Sequence, residues 1–247
     1  MLDGKKLKEK LKAGQVVTSI MLRFPDPSLA EMLAIQGVEL VVIDNEHYPF
    51  NPQRVEALAR AAQIYGSGVV IRVPNEEVAR VAQMMDCQLQ GIKIPHVETK
   101  EQALAIVNAV KYAPVGKRGF CPITRAADYG FTASPADYPV RANRDSVVSI
   151  MVETKRGLEN LDEILSIPEI DVVAIGPSDV SASYGLPGQP DHPVVKAAIE
   201  EGQRKIIASG KCLCDLYKNP EQAKKAIRSG VRMFQIGSPL QLAGSRS

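Results

Sequence analysis

The sequence predicts a closed (β/α)₈ TIM barrel, an α/β fold of eight parallel strands inside a ring of helices. Three observations lead there. Eight short aliphatic runs alternate with helical patterns along 247 residues. Each connection between consecutive runs is helix-sized, which favours parallel neighbours. No low-complexity linker interrupts the series, so one domain over 1–247 is expected. A doubly wound open sheet is the competing arrangement.

The elements follow in order. A first helix over 4–13 precedes "VVTSIML" (16–22), and a helix over 27–37 precedes "LVVID" (40–44). Within 51–65, Val55, Leu58, Ala62 and Ile64 recur near helical spacing. "GVVIRVP" (68–74) leads to a helix over 76–86. "GIKIP" (91–95) leads to one over 99–112, where Thr99 and Gln102 fit a capping box. A Pro-, Gly-, Arg- and Tyr-rich stretch, 113–145, reads as irregular. "VVSIMVE" (147–153), a helix over 156–167, "DVVAIGPSD" (171–179), a helix near 192–209, "KCLCDL" (211–216), a helix over 220–230 and "RMFQIG" (232–237) complete the series.

Composition narrows the function classes. A formal net charge of +2 gives nucleic-acid binding no support. No apolar run reaches the length of a membrane span, and the basic start "MLDGKKLKEKLKAG" lacks the apolar core of a secretory signal. Cys87, Cys121, Cys212 and Cys214 form no C-x-x-C pair, so they read as reduced thiols of a cytoplasmic protein.

In a barrel of this kind the active site gathers at the C-terminal strand ends. Several strands here end in reactive residues. Asp44, Glu46 and His47 follow the second strand, Arg72 ends the third, Glu153 closes the fifth, and Asp179 follows the sixth in "IGPSD". Charge at the mouth of a buried strand costs desolvation unless partners or a cation neutralise it. Glu153 and Asp179 lie on adjacent strand ends and suit a hard divalent ion such as Mg²⁺, Mn²⁺ or Co²⁺. Gly176 permits a close approach, and the amides of Ser178 and Asp179 are suited to an anion. Plainer readings stand beside each: a solvated carboxylate for Glu153 or Asp179, an N-cap for Ser178, a salt bridge for Arg72, a turn histidine for His47. His96 and His192 have weaker claims.

The stretches "VVIDNEHYPF", "IRVP", "QGIKIPHVETKEQA", "YAPVGKRGF", "MVETKRGLENLDEIL" and "AIGPSDVSASYGLPG" resemble, in order and over nearly the whole chain, the metal-dependent class II pyruvate aldolases of the HpcH/HpaI family. The resemblance implies a TIM barrel that binds a divalent metal through Glu153 and Asp179. It implies pyruvate, or another 2-oxo acid, held near Ser178 and Asp179, with an aldehyde as second substrate. Arg72 matches the arginine that stabilises the enolate oxygen, and His47 the acid–base histidine, supported by Asp44. A homo-oligomer, in the manner of hexameric relatives, is implied as well.

Some positions depart from the family pattern. Met151 stands where many members carry glutamine, and "DCQLQG" (86–91) replaces the more usual "DAGAQG", which is expected to alter a loop of the active face. Tyr48 and Phe50 enlarge usually small positions, and the end "IGSPLQLAGSRS" is shorter than in many relatives. Three other functions remain open at this point. They are a 2-oxo diacid decarboxylase or related lyase, a Schiff-base aldolase using Lys93, and a 2-oxo-acid-binding barrel without catalysis. Arg118, Arg125 and Tyr129, in the 113–145 stretch, are candidates to shape the aldehyde pocket.

Overall fold

The computed structural model describes residues 2–132, 134–217 and 219–237. Eight parallel strands form a closed barrel in chain order: β1 Val17–Leu22, β2 Leu40–Asp44, β3 Gly68–Arg72, β4 Gly91–Ile94, β5 Val147–Val152, β6 Val172–Ile175, β7 Cys212–Leu216 and β8 Met233–Gln235. Pairing of β1 with β8, Val17 opposite Met233, closes the ring. The helices are α1 Gly4–Lys12, α2 Pro27–Ile35, α3 Pro52–Ile64, α4 Val81–Asp86, α5 Lys100–Val110, α6 Asp137–Asp145, α7 Lys155–Glu159, α8 Leu161–Leu165, α9 Pro177–Ser183, α10 Pro193–Ala208 and α11 Pro220–Arg228. Of the segment "IGSPLQLAGSRS" (236–247), residues 238–247 lie outside the described residues.

Period-two alternation sorts the strand residues into two cores. Ile43, Ile71, Ile92, Ile94, Val148 and Ile150 face outward against the helices. Val17, Met21, Leu40, Val42, Val70, Val147 and Cys214 fill the barrel. Leu7 of α1 joins this inner cluster and is fully buried. Helix α1 therefore plugs the N-terminal mouth and leaves the C-terminal mouth as the open one. Asp3, Asn51 and Asn219 cap α1, α3 and α11. Thr99 and Gln102 form the capping box of α5.

The 113–145 stretch is more ordered than its composition suggests. It ends in α6, whose Tyr138 is buried with Tyr112 and Ala127. As an α5–β5 connection it lies at the N-terminal end of the barrel, away from the open mouth. Its side chains are engaged there. Arg118 pairs with Asp86 at 2.5 Å, Arg125 donates to the Cys87 carbonyl and to Gln63, and Arg60 donates to the Tyr129 hydroxyl. The structure does not bring Arg118, Arg125 and Tyr129, expected to help shape an aldehyde pocket, to this barrel's own open mouth. "DCQLQG" joins α4 to β4 at this same end, which corrects its expected place on the active face. Gln88, at the position usually held by glycine, takes the left-handed region at φ +64°. Its side chain donates to Asp128 and its carbonyl accepts from Gln63.

Lys111 pins the stretch to the barrel. Its Nζ donates to the carbonyls of Asn143 and Ser146, at 2.8 and 2.6 Å, and to Ser146 Oγ at 2.8 Å. Burial pushes its pKa from 10.5 down to about 7. The unfolded chain thus holds a proton that the folded chain releases between those values, and stability rises with pH across that window. In Lys111→Met this rise should disappear from the pH dependence of urea unfolding. Stability at pH 7 should fall by about 2 kcal/mol, because buried acceptors lose their donor.

Candidate active site

The barrel register builds the centre of the site. Asp44 and Arg72 are paired positions at the ends of β2 and β3. Arg72 Nε donates to Asp44 Oδ1 at 3.1 Å and Nη2 to Oδ2 at 2.8 Å, a two-toothed fork. Its remaining terminal nitrogen, Nη1, lies 2.8 Å from Glu46 Oε2. Arg23 approaches Asp44 Oδ2 at 3.4 Å from the end of β1. Asp44 is completely buried. Burial alone would raise its pKa, but the bonds and charge of Arg72 outweigh it and hold the carboxyl below its ordinary value.

His47 sits on the loop after β2, its side chain 61% exposed. Its amide donates to Asp44 Oδ1 at 3.4 Å. The carboxylate facing its ring belongs to Glu46, whose Oε2 is 3.6 Å from Nε2. Asp44 thus meets the backbone of His47, while its carboxylate serves Arg72. Phe50 is buried among the outer core and its amide donates to Asn45 Oδ1 at 2.8 Å. Tyr48 lies under the Arg23 guanidinium. Both large side chains brace the loop.

Glu153 follows β5 directly and is buried. Its Oε2 accepts from the His96 amide at 3.2 Å. Its Oε1 points at Gly176: a Cβ there would sit 2.2 Å from that oxygen. Glycine at 176 leaves the side-chain space to the Glu153 carboxylate. Burial raises the Glu153 pKa, His96 opposes the rise, and the negative charges of Asp179 and Glu46 add to it. Asp179 and Ser178 lie exposed in the first turn of α9. A buried carboxylate with acidic neighbours is a place where a divalent cation relieves both repulsion and desolvation. The donor chemistry of Glu153 and Asp179 therefore fits a hard metal ion. Among the described residues no closed cage of three or more His, Cys, Asp or Glu side chains occurs.

Glu46, which the sequence sets beside His47 among the reactive strand-end residues, and His96, whose claim there is weaker, join the centre. Glu46 meets Arg72 and His47, and its Oε1 is 3.5 Å from His96 Nε2. His96, at φ +54°, places its Nδ1 3.8 Å from Glu153 Oε2. Their proximity to reactive strand ends was the available signal. Lys93 alternates with outward Ile92 and Ile94, is buried, and donates to Gln235 Oε1 at 3.2 Å. Met151 packs on the inner cluster. His192 immediately precedes α10 and its side chain makes no capping hydrogen bond there.

The family model described as HpcH/HpaI aldolase/citrate lyase matches residues 20–244. The chain is 38% identical over 209 residues to a hydroxypyruvate/pyruvate aldolase of Sagittula stellata, covering 85% of this chain and 81% of that one. It is 36% identical over 231 residues to the 2-keto-3-deoxy-L-rhamnonate aldolase of Escherichia coli K12, covering 93% and 85%. A crystal structure of an HpcH/HpaI aldolase/citrate lyase family protein from Burkholderia cenocepacia superposes with a TM-score of 0.89 at 27% identity, covering 97% and 95%.

Proposed function

The chain belongs to the HpcH/HpaI aldolase/citrate lyase family, and on that premise we propose how its own residues carry out reversible aldol cleavage of 2-oxo-4-hydroxy acids to pyruvate and an aldehyde. It is a carbon–carbon lyase. The observation that supports the residue assignments is the meeting, at one barrel mouth, of the Asp44–Arg72 fork and the buried Glu153 carboxylate, linked through Glu46 and His96.

Glu153 and Asp179 would hold a divalent metal, Mg²⁺, Mn²⁺ or Co²⁺. When bound, the ion supplies Lewis-acid polarisation of the 2-oxo group. The first turn of α9, with Ser178 and Asp179, receives the substrate carboxylate through backbone amides. Arg72 presents positive charge to the 2-oxo oxygen as electrons arrive there, and Asp44 fixes its orientation. His47 takes the 4-hydroxyl proton. The C3–C4 bond breaks, its electron pair passes to the enolate of pyruvate, and the aldehyde leaves. Protonation at C3 completes pyruvate, and the reverse order condenses the two. The exposure of His47 allows proton exchange with solvent between turnovers. We also assign the enzyme to the cytoplasm, as a homo-oligomer. No described helix is long and apolar enough to cross a membrane.

The test is pyruvate release from 4-hydroxy-2-oxo acids, with oxaloacetate assayed in parallel. Activity should vanish after EDTA treatment and return with Mg²⁺, Mn²⁺ or Co²⁺. Turnover indifferent to EDTA, together with a borohydride-trapped adduct on Lys93, would replace the metal reading with Schiff-base chemistry. Turnover of oxaloacetate alone would make the chain a decarboxylase.

A further inference from the structure

We infer that His96 is a positioning residue for the metal carboxylate, and that it ties this carboxylate to Arg72 through Glu46. The inference rests on the metal reading above and adds two residues to it. The starting observation is that the two oxygens of Glu153 have different surroundings. Oε2 accepts from the His96 amide at 3.2 Å and lies 3.8 Å from His96 Nδ1. Oε1 faces Gly176, at the head of the helix that carries Asp179. His96 therefore occupies one oxygen and leaves the other facing the start of the helix that carries Asp179. Glu153 becomes a ligand with one committed oxygen, held at a fixed angle.

The backbone of His96 is part of the device. At φ +54° its amide turns toward Glu153, a conformation that most side chains adopt only at a cost of about 1 kcal/mol. Asn75 Nδ2 donates to the His96 carbonyl at 3.2 Å and helps hold that turn from the next loop. The imidazole then spans two carboxylates. Nε2 stands 3.5 Å from Glu46 Oε1, while the other oxygen of Glu46 lies 2.8 Å from Arg72 Nη1. The path Glu153–His96–Glu46–Arg72 thus crosses from strand five to strand three. Groups outside the ligand sphere that orient ligating carboxylates commonly change metal affinity by about 10–100-fold.

Mn²⁺ affinity of the full-length enzyme, read by calorimetry or by electron paramagnetic resonance of the free ion, tests this without turnover. His96→Asn removes the imidazole but tolerates the left-handed backbone, so the amide contact to Glu153 survives. It should raise the Mn²⁺ Kd about tenfold while far-UV dichroism stays unchanged. His96→Gly serves the same purpose if asparagine unsettles the loop. Glu46→Gln should also weaken Mn²⁺, and the double variant should be no more than about threefold worse than the weaker-binding single, because both act through one bridge. A His96→Asn enzyme within twofold of wild type, or single effects that multiply in the double variant, would overturn the inference and leave the metal reading intact. A wild-type chain that binds no Mn²⁺ would sink the metal reading and this inference with it.

Discussion

Arg72→Lys should lower kcat for aldol cleavage by about 10²–10³-fold, the effect of losing an aligned oxyanion donor, while the barrel stays folded. Lysine is the informative replacement. Asp44 is completely buried and Glu46 nearly so, and alanine would take the guanidinium from both, leaving Asp44 the looser Arg23 contact at 3.4 Å. Breaking a buried pair in that way costs about 3–5 kcal/mol and would mix unfolding with chemistry. Lysine keeps the charge but offers no planar fork to match Oδ1 and Oδ2. The same variant has a signature in acid. The depressed Asp44 carboxyl contributes stability that is present above its ordinary pKa of 3.8 and lost as pH falls through the lower, folded value. Weakening the fork raises that folded value, so the acid-unfolding midpoint should move to higher pH. A lysine variant within fivefold of wild-type kcat would remove Arg72 from the mechanism.

Gly176→Ala should be nearly silent for folding and severe for metal binding. The backbone at 176 has φ −92°, open to any residue, so alanine brings no conformational strain. Its Cβ would instead meet Glu153 Oε1 at 2.2 Å and its Cδ and Cγ at 2.9 Å. The side chain of Glu153 is the part that can yield, and yielding takes Oε1 away from α9. We expect the Mn²⁺ Kd to rise about 10–100-fold, with a change in unfolding free energy of about 1 kcal/mol or less. Thermal unfolding and Mn²⁺ titration on one preparation would decide. Unchanged Mn²⁺ affinity would show that Glu153 is not where the ion sits.

The barrel was legible because its strands are buried on both faces. "LVVID", "GVVIR" and "VVSIMV" are continuous aliphatic runs, and the helices between them carry the complementary periodicity. The reactive strand ends were legible because charge directly after such a run demands a partner. What the partner is was not. Arg72 lies 28 residues from Asp44, and only the register of two neighbouring strands makes them adjacent. The family resemblance accordingly implied Asp44 as support for His47, whereas the His47 ring faces Glu46. His96 stayed obscure because its contribution depends on a left-handed backbone that no local pattern announces. Helix α6 was missed for a different reason. It carries a proline in its first turn and polar residues along most of its length, and its anchorage is a cluster of aromatic rings, Tyr112, Phe120 and Tyr138, drawn from three places in the chain.

The closure of β1 onto β8 has a consequence for how the molecule comes into being. Val17 finds its partner only when Met233 arrives, more than two hundred residues later. A growing chain can assemble β1 to β7, with Arg72 and Glu153 already present, while the outer rims of β1 and β7 remain unpaired and prone to association. Fragments that end before β8 should therefore aggregate even though they contain every proposed ligand. Pairing at such sequence distance is slow, so newly made chains should acquire metal binding late and together with resistance to protease.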